Sequence, residues 1–353
     1  MLFRKHKTVV GLDIGSSAVK AVELKAMGKS FKVVSFGIEP LPPDAIVDGA
    51  IIDGATVADA IRRLFETQHI KTREVAASLS GNSVIVKKIT LPAMTDAELA
   101  GSITWEAEQY IPFDIQDVTL DYQVLSRPAK GAAGGTMDVL LVAAKKETIA
   151  DYTGVIAQAG CVPTIVDVDA FALQNAFEAN YGTRDGVVTL LNIGASASTI
   201  NIIQGGQSLF TRDVPVGGNA YTDALQKDFQ IPHESAELLK RGIPVDGLDP
   251  LQAQPTMQMV TDVLLLEVQK TLDFFRGTSA GASIAMILVT GGGAQVDGMV
   301  AALQNRLGIA VEAFEPFKTI RFEAEKFGLP SVADAVATSA VAVGLALRRG
   351  GDR

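Results

Sequence analysis

Asp13, Lys20, Asn192 and Asp167 are the side chains whose types and spacing could do chemistry on a phosphate. Asp13 ends the apolar run Val9-Val10-Gly11-Leu12 and is followed by Ile14-Gly15-Ser16-Ser17, a strand end running into a glycine turn with small hydroxyls. At an offset of 179 residues the pattern returns as Leu190-Leu191-Asn192-Ile193-Gly194-Ala195-Ser196, with Thr199 where the first copy has Lys20. Two copies of one hairpin imply two facing lobes. The glycine permits positive φ and close backbone approach, so successive N–H groups can point at phosphate oxygens. That assigns Gly15, Ser16 and Ser17 from one hairpin, and Gly194, Ala195 and Ser196 from the other, to the lining of the phosphates. A third element, Ile287-Leu288-Val289-Thr290-Gly291-Gly292-Gly293-Ala294, is a buried-strand pattern running into a glycine turn.

A nucleotide held between such hairpins needs backbone donors, a divalent metal and, for hydrolysis, a group that orients water. Asp13 suits Mg²⁺, which keeps several waters and uses only one or two protein groups. Asn192 takes the matching place in the second copy; its amide can hydrogen-bond a metal-bound water but brings no charge. Lys20 reads either as a β-phosphate ligand or as an exposed strand lysine. In Ile165-Val166-Asp167-Val168-Asp169, Asp167 reads either as the water-orienting carboxylate or as a plain turn residue, while Asp169 reads as a helix N-cap.

The elements that must position these groups alternate between strand and helix. Val9 to Leu24 and Phe31 to Phe36 read as strands about the turn Met27-Gly28-Lys29, and Thr56 to Gln68 reads as a helix starting at a Thr N-cap. After the strand Val75 to Leu79, the alternation is interrupted. Ser83 to Ile89 and Thr119 to Leu125 read as strands flanking a helix, Thr95 to Tyr110, with Thr95 and Glu98 as a capping box. Gly-rich Ala129 to Thr136 reads as a loop, Met137 to Ala144 as the returning strand, Lys145 to Ala159 as a helix and Val162 to Val168 as a strand, followed by the helix Ala170 to Tyr181. The second half repeats the strands and adds Gln207 to Val214, then helices Ala220 to Phe229, Ser235 to Arg241 and Thr256 to Gly277. The last has an apolar stripe at 260, 263, 264, 268, 272 and 275. Ser331 to Arg349 reads as one small-residue helix returning to the first lobe. The division expected is lobe I, 1–184, with a subdomain inserted at 81–144; lobe II, 185–330; and a C-terminal helix, 331–353.

With 353 residues, 48% of them hydrophobic, the chain can fill two cores. A formal net charge of −9 and the lack of a dense basic face argue against a nucleic-acid partner. The lone Cys161 suits a reducing compartment and reads as a small core residue. No apolar run reaches the roughly 18 residues needed to span a bilayer. The basic start, Met1 to Lys7, reads as a solvated terminus or a touch point for anionic lipid.

Taken together, these residues resemble the actin, Hsp70 and sugar-kinase superfamily. Gly11 to Lys20 is similar to its first phosphate motif and Asn192 to Thr199 to its second. Gly291, Gly292 and Gly293 are similar to the adenosine motif, and Glu237 and Lys240 to the helix that lies along adenine and ribose. Within that superfamily, Trp105 to Phe113, Leu120 to Leu125, Phe210 to Asp213 with Val216-Gly217-Gly218, and the ending Ala342 to Arg348 resemble the PilM family of type IV pilus assembly proteins. The resemblance implies an α/β, actin-like two-lobed fold of duplicated RNase H-like lobes, with the insertion placed as in FtsA. It further implies a cytoplasmic ATP- and Mg²⁺-binding scaffold of pilus assembly and twitching motility. Such a scaffold would grip the cytoplasmic tail of PilN, work beside other inner-membrane and motor components, and meet the membrane only through partners. Asn192 departs from the superfamily's usual Asp and implies a weak ATPase at most. Two other functions compete. A small-molecule kinase needs a positioned base and a polar substrate pocket, and an FtsA-like filament former would be expected to end in an amphipathic anchor that Leu345 to Arg353 does not resemble. Trp105, Tyr110 and Phe113 read as subdomain core or as the lining of a peptide groove.

Overall fold

The structure, a computed structural model, describes residues 8–128, 135–245, 247–279, 281–329 and 331–349. The basic start and most of the Ala129 to Thr136 loop lie outside these residues.

Lobe I opens with an antiparallel meander of β1 (Val10–Ile14), β2 (Ala18–Met27) and β3 (Ser30–Pro40). The small hairpin β4 (Ile46–Val47) and β5 (Ala50–Ile51) leads to α1 (Gly54–Thr67), and β6 (Glu74–Leu79) then joins β1 in parallel. The N-cap of α1 is Asp53, not Thr56: its carboxylate accepts the Thr56 N–H at 3.0 Å, and Val57, Ile61, Leu64 and Phe65 form the buried face.

The insertion follows as β7 (Val84–Pro92), α2 (Asp96–Glu108), β8 (Val118–Ser126) and β9 (Thr136–Lys145), with β9 central in a three-stranded antiparallel sheet. The Thr95 and Glu98 capping box forms. Leu99, Ile103 and Ala107 of α2 pack on Ile89, Leu91, Met137, Val139 and Leu141, giving the insertion a core of its own. Tyr110 and Phe113 pack against that core, but Trp105 points away from it and is 64% exposed. The chain returns through α3 (Lys146–Gln158), β10 (Val162–Val168) and α4 (Asp169–Tyr181), completing a sheet ordered β10-β6-β1-β2-β3.

Lobe II repeats the plan. β11 (Val187–Ile193), β12 (Ser198–Gln204) and β13 (Gln207–Val214) form the second meander, followed by α5 (Gly218–Phe229), α6 (His233–Lys240) and α7 (Pro250–Thr278). β14 (Ile284–Thr290), α8 (Met299–Leu307) and β15 (Ala310–Ala313) complete a sheet ordered β13-β12-β11-β14-β15, the same topology as in lobe I. On α7, Leu264, Val268, Leu272 and Phe275 are buried as the stripe requires. Val263 is not; it sits at the edge of that arc and is 52% exposed.

The expected single C-terminal helix is two: α9 (Val332–Thr338) and α10 (Ala340–Ala346). The Ala337 carbonyl accepts from Gly291 N–H and Thr290 Oγ1, both at 2.8 Å, and so leaves the helical ladder where the two would join. α10 then packs on α4 and β1 with backbones touching. A Cβ on Gly344 would lie 1.7 Å from the Ala172 carbonyl oxygen, and one on Gly11 would lie 2.0 Å from that of Ala342. Val22 and Phe36 of lobe I, Val188 and Leu190 of lobe II, and Ala342 and Val343 of α10 share one apolar cluster, so the lobes are joined at their backs and open on one side.

Candidate nucleotide site between the lobes

Both hairpins close on the cleft in the same way. Gly15 N–H donates to the Ala18 carbonyl at 3.1 Å, and Gly194 N–H to that of Ala197 at 2.9 Å. Neither glycine has positive φ, contrary to expectation; glycine is required at 194 by close approach, because a Cβ would lie 2.8 Å from the Ala197 oxygen. The positive φ occurs instead at Gly291, at 93°, where a Cβ would lie 2.3 Å from the Ile193 oxygen and 2.5 Å from Asn192 Oδ1. Among the described residues, no protein acceptor takes the amides of Ser16, Ser17, Ala195 or Ser196. The two tips meet through Ser16 Oγ and Ser196 Oγ, 2.9 Å apart.

The cavity between the hairpins measures about 1060 Å³. Asp13, Gly15, Ser16, Ser17, Lys20, Asn192, Gly194, Ala195, Ser196, Thr199, Gly218, Glu237, Lys240, Gly291, Gly292 and Gly293 all line it. Gly217 stands behind them: a Cβ there would lie 2.5 Å from the Ala195 oxygen, so glycine lets the start of α5 press on the second hairpin. In register, Asp13 faces Lys20 across one hairpin and Asn192 faces Thr199 across the other. Lys20 is buried and donates to Asp13 Oδ2 at 3.0 Å, which overturns the exposed-lysine alternative.

At the opposite end, Lys240 Nζ bonds Thr222 Oγ1 at 2.8 Å and pairs with Glu237. Burial pushes the Glu237 carboxyl up, but hydrogen bonds from Lys240 and Thr222 outweigh it and hold the group below its usual range. The Gly291–Gly293 turn also lines the cavity and is held by the Gly291 N–H bond to the Ala337 carbonyl, beside that of Thr290 Oγ1.

The structure does not bring Asp167 to this cleft. Its Oδ2 lies 3.3 Å from Nε of Arg348, a residue that does not line the cavity, and burial pushes its carboxyl up. The carboxylate that faces the cleft is Asp169. It is the first residue of α4, not its cap; the N-cap is Val168, and Ser78 Oγ donates to Asp169 Oδ1 at 2.5 Å. Burial, with the charges of Asp13 and then Asp213 opposed by hydrogen bonds from Ser78 and Ser80, raises the Asp169 carboxyl to about 7. Alternation along β10 could have separated the two acids, since residues two apart on a strand share a face but a helix start turns the second away from it. Asp213 also lines the cleft, directly opposite Thr199 in register. Tyr152 lines it too, donating to the Gly49 carbonyl at 3.0 Å.

This donor set fits a magnesium nucleotide. Unclaimed backbone amides stand at one end beside two serine hydroxyls bonded only to each other, a buried carboxylate paired with a lysine stands next to them, and a second carboxylate–lysine pair lies at the far end. No group of three or more His, Cys, Asp or Glu that could hold a metal ion occurs among the described residues.

Two sheets of one topology, crossing helices at the back and a phosphate hairpin from each lobe define the actin-like ATPase fold. Within that class, the family model for type IV pilus assembly protein PilM matches residues 11–350, and the chain belongs to the PilM family. A solved chain from a PilM–PilN type IV pilus biogenesis complex is 29% identical with a TM-score of 0.87, over 99% of this chain and 100% of that one. The cell division protein FtsA of Streptococcus pneumoniae is 23% identical over 87% of this chain and 75% of its own length. MreB5 of Spiroplasma citri, solved with AMPPNP, shares the fold at 14% identity and a TM-score of 0.52, over 96% of this chain and 94% of its own. Among the described residues, no helix is long and apolar enough to cross a membrane.

Proposed function

We propose that this chain binds Mg²⁺–ATP between its lobes and holds the cytoplasmic N-terminal tail of PilN with its insertion and the adjoining face of lobe I. It serves the inner-membrane platform of the type IV pilus as a scaffold, at the cytoplasmic face and through partners, alongside other inner-membrane and motor components. The observation that carries this reading is the end-to-end likeness to a chain solved in a PilM–PilN complex.

The amides and hydroxyls of Gly15, Ser16, Ser17, Gly194, Ala195 and Ser196 bind the phosphates, while Glu237 and Lys240 hold the ribose and Gly291 to Gly293 the adenosine side. Asp13 and Asn192 would hold Mg²⁺ through its water shell, and the ion would supply neutralisation of phosphate charge. Lys20, already paired with Asp13, turns toward the β-phosphate. The water-orienting role assigned to Asp167 in the sequence passes to Asp169, the buried acid that faces the cleft. Hydrolysis is slow because Asn192 leaves the metal shell one carboxylate short, so transition-state charge is less well balanced.

An extended tail can add to a sheet edge and seat alternate side chains in pockets. The insertion offers β8 as its open edge, with Thr119, Asp121 and Gln123 exposed along it, while its other edge strand, β7, lies against β13 of lobe II. Crosslinking a photoreactive PilN tail peptide to the full chain should label the insertion or lobe I beside it. Labelling confined to α7 of lobe II would refute the assignment.

A further inference from the structure

We infer that Asp213 is a positioning residue that couples the cleft to the insertion, by tying the edge strand of lobe II to the insertion's root. This rests on the nucleotide and peptide reading above and supplies its physical link. The insertion belongs covalently to lobe I, entering from β6 and leaving into α3. Yet it also lies along β13, whose ladder partner is β12 and whose other flank borders β7. At one end of β13, Asp213 Oδ2 accepts the Gly81 N–H at 2.6 Å; at the other, Gln207 Nε2 donates to the Leu125 carbonyl at 3.1 Å. The two ties are about 20 Å apart along the strand.

The first tie stands at the cleft itself. Ser80, Gly81 and Asn82 line the nucleotide cavity, as does Asp213, and the turn Gly81–Ser83 leads directly into β7. That turn is braced from within lobe I. Gly81 has φ of 75°, the Ser80 carbonyl abuts Gly49, and Tyr152 holds the Gly49 carbonyl. A bond from a backbone N–H to a carboxylate is of the stronger, charge-assisted kind. Rotation of lobe II about the shared back therefore either breaks the Asp213 tie or carries the turn and β7 with it. Nucleotide that closes the lobes and peptide held by the insertion then act on one joint, and each alters the affinity of the other by the same factor.

The test measures the Kd of a PilN tail peptide for the full chain with and without Mg²⁺–ATP, beside the melting-temperature shift with Mg²⁺–ATP alone. The parent should show at least about a fivefold change in peptide Kd, the lower end of usual coupling factors. Asp213→Ala and, away from the cleft, Gln207→Ala should each bring the factor below about twofold. Asp213→Asn, whose amide oxygen still accepts from Gly81, should keep most of it. An Asp213→Ala variant with the parent's factor overturns the inference, and so does an Asp213→Asn variant as uncoupled as Asp213→Ala. A parent that binds both ligands without coupling sinks the inference alone. A parent that fails to bind one of them sinks the underlying reading and this inference together.

Discussion

Ser16 and Ser196 share a hydrogen bond of 2.9 Å from the tips of the two phosphate hairpins. Phosphate can lie between the tips only by parting these hydroxyls and offering each a new acceptor. Mg²⁺–ATP is therefore expected to replace a protein bond with several charged ones and to stabilise the folded chain by about 2.7 kcal/mol at a hundredfold excess over Kd. Asp13→Ala should lose most of that shift. If neither ATP nor ADP with Mg²⁺ moves the melting temperature, and Asp13→Ala melts as the parent does, the cleft is not a nucleotide site.

Asp169 gives the apo protein a pH signature. Its folded value of about 7 stands above the ordinary aspartate value of 3.8, so the folded state holds a proton that the unfolded state has released between those limits. Unfolding free energy should then fall as pH rises from about 4 to about 7, because the unfolded chain binds fewer protons there. Asp169→Asn removes the titrating group and should flatten that part of the profile. Urea melts at several pH values decide it; an unchanged slope in the variant would show that another group is responsible.

The same acid is expected to govern turnover. ATP hydrolysis by the parent is expected below roughly 1 s⁻¹, at the bottom of the usual enzyme range. It should rise as pH approaches 7 and the Asp169 carboxylate forms. Asp169→Asn should lower it by about a hundredfold, the lower end of general-base effects, while Asp167→Asn, whose partner Arg348 lies outside the cleft, leaves it near the parent's value. Asn192→Asp restores the missing carboxylate and should raise turnover by about tenfold, or 1.4 kcal/mol. Equal losses at 167 and 169 would contradict the placement of function at Asp169.

Much of this was legible because the signals are local. The Asp13 and Asn192 hairpins, the Thr95 capping box, and the strands from β6 to β10 all follow from periodicity and turn chemistry within about ten residues. The errors arose where a tertiary partner decides. Asp169 reads as a cap until Ser78, 91 residues away, is seen to bond it. The break between α9 and α10 depends on Gly291 and Thr290 taking a carbonyl that the C-terminal sequence alone would leave in the helix. Lys20 reads as exposed or functional with equal ease until its burial beside Asp13 removes the exposed reading.

The junction of α10 with α4 provides a stability test independent of ligands. With the Ala172 oxygen 1.7 Å from the Cβ position of Gly344, any side chain must force α10 from α4 and disturb the apolar cluster that joins the lobes. Gly344→Val is expected to cost about 3 kcal/mol, the upper end for overpacking. Gly101→Ala, on α2 with open space at its Cβ position, should instead be neutral or gain up to about 1 kcal/mol from helix propensity. A Gly344→Val chain as stable as the parent would show that α10 does not press on α4 at this position.

Partner binding is expected to depend on the whole insertion, and the fold dictates how to remove it. Cutting Ser83 to Leu125 would strand β9, whose Met137, Val139 and Leu141 are buried against α2 and β7, and would expose apolar surface. Val84 and Ala144 are paired across the base of the sheet, so residues 84–144 can be replaced by a short Gly-Ser linker without stretching the roots. The remaining lobes keep their own sheets and the cores beneath them, apart from the contacts Val84 and Ala144 make with lobe I. The excised chain should still show a melting-temperature shift with Mg²⁺–ATP while losing PilN tail binding by at least about a hundredfold, or 2.7 kcal/mol. A peptide that binds the excised chain as tightly as the parent would place its seat outside the insertion, on lobe I alone or on lobe II. Loss of both ligands would show instead that the cleft cannot form without the turn at Gly81 held between the lobes.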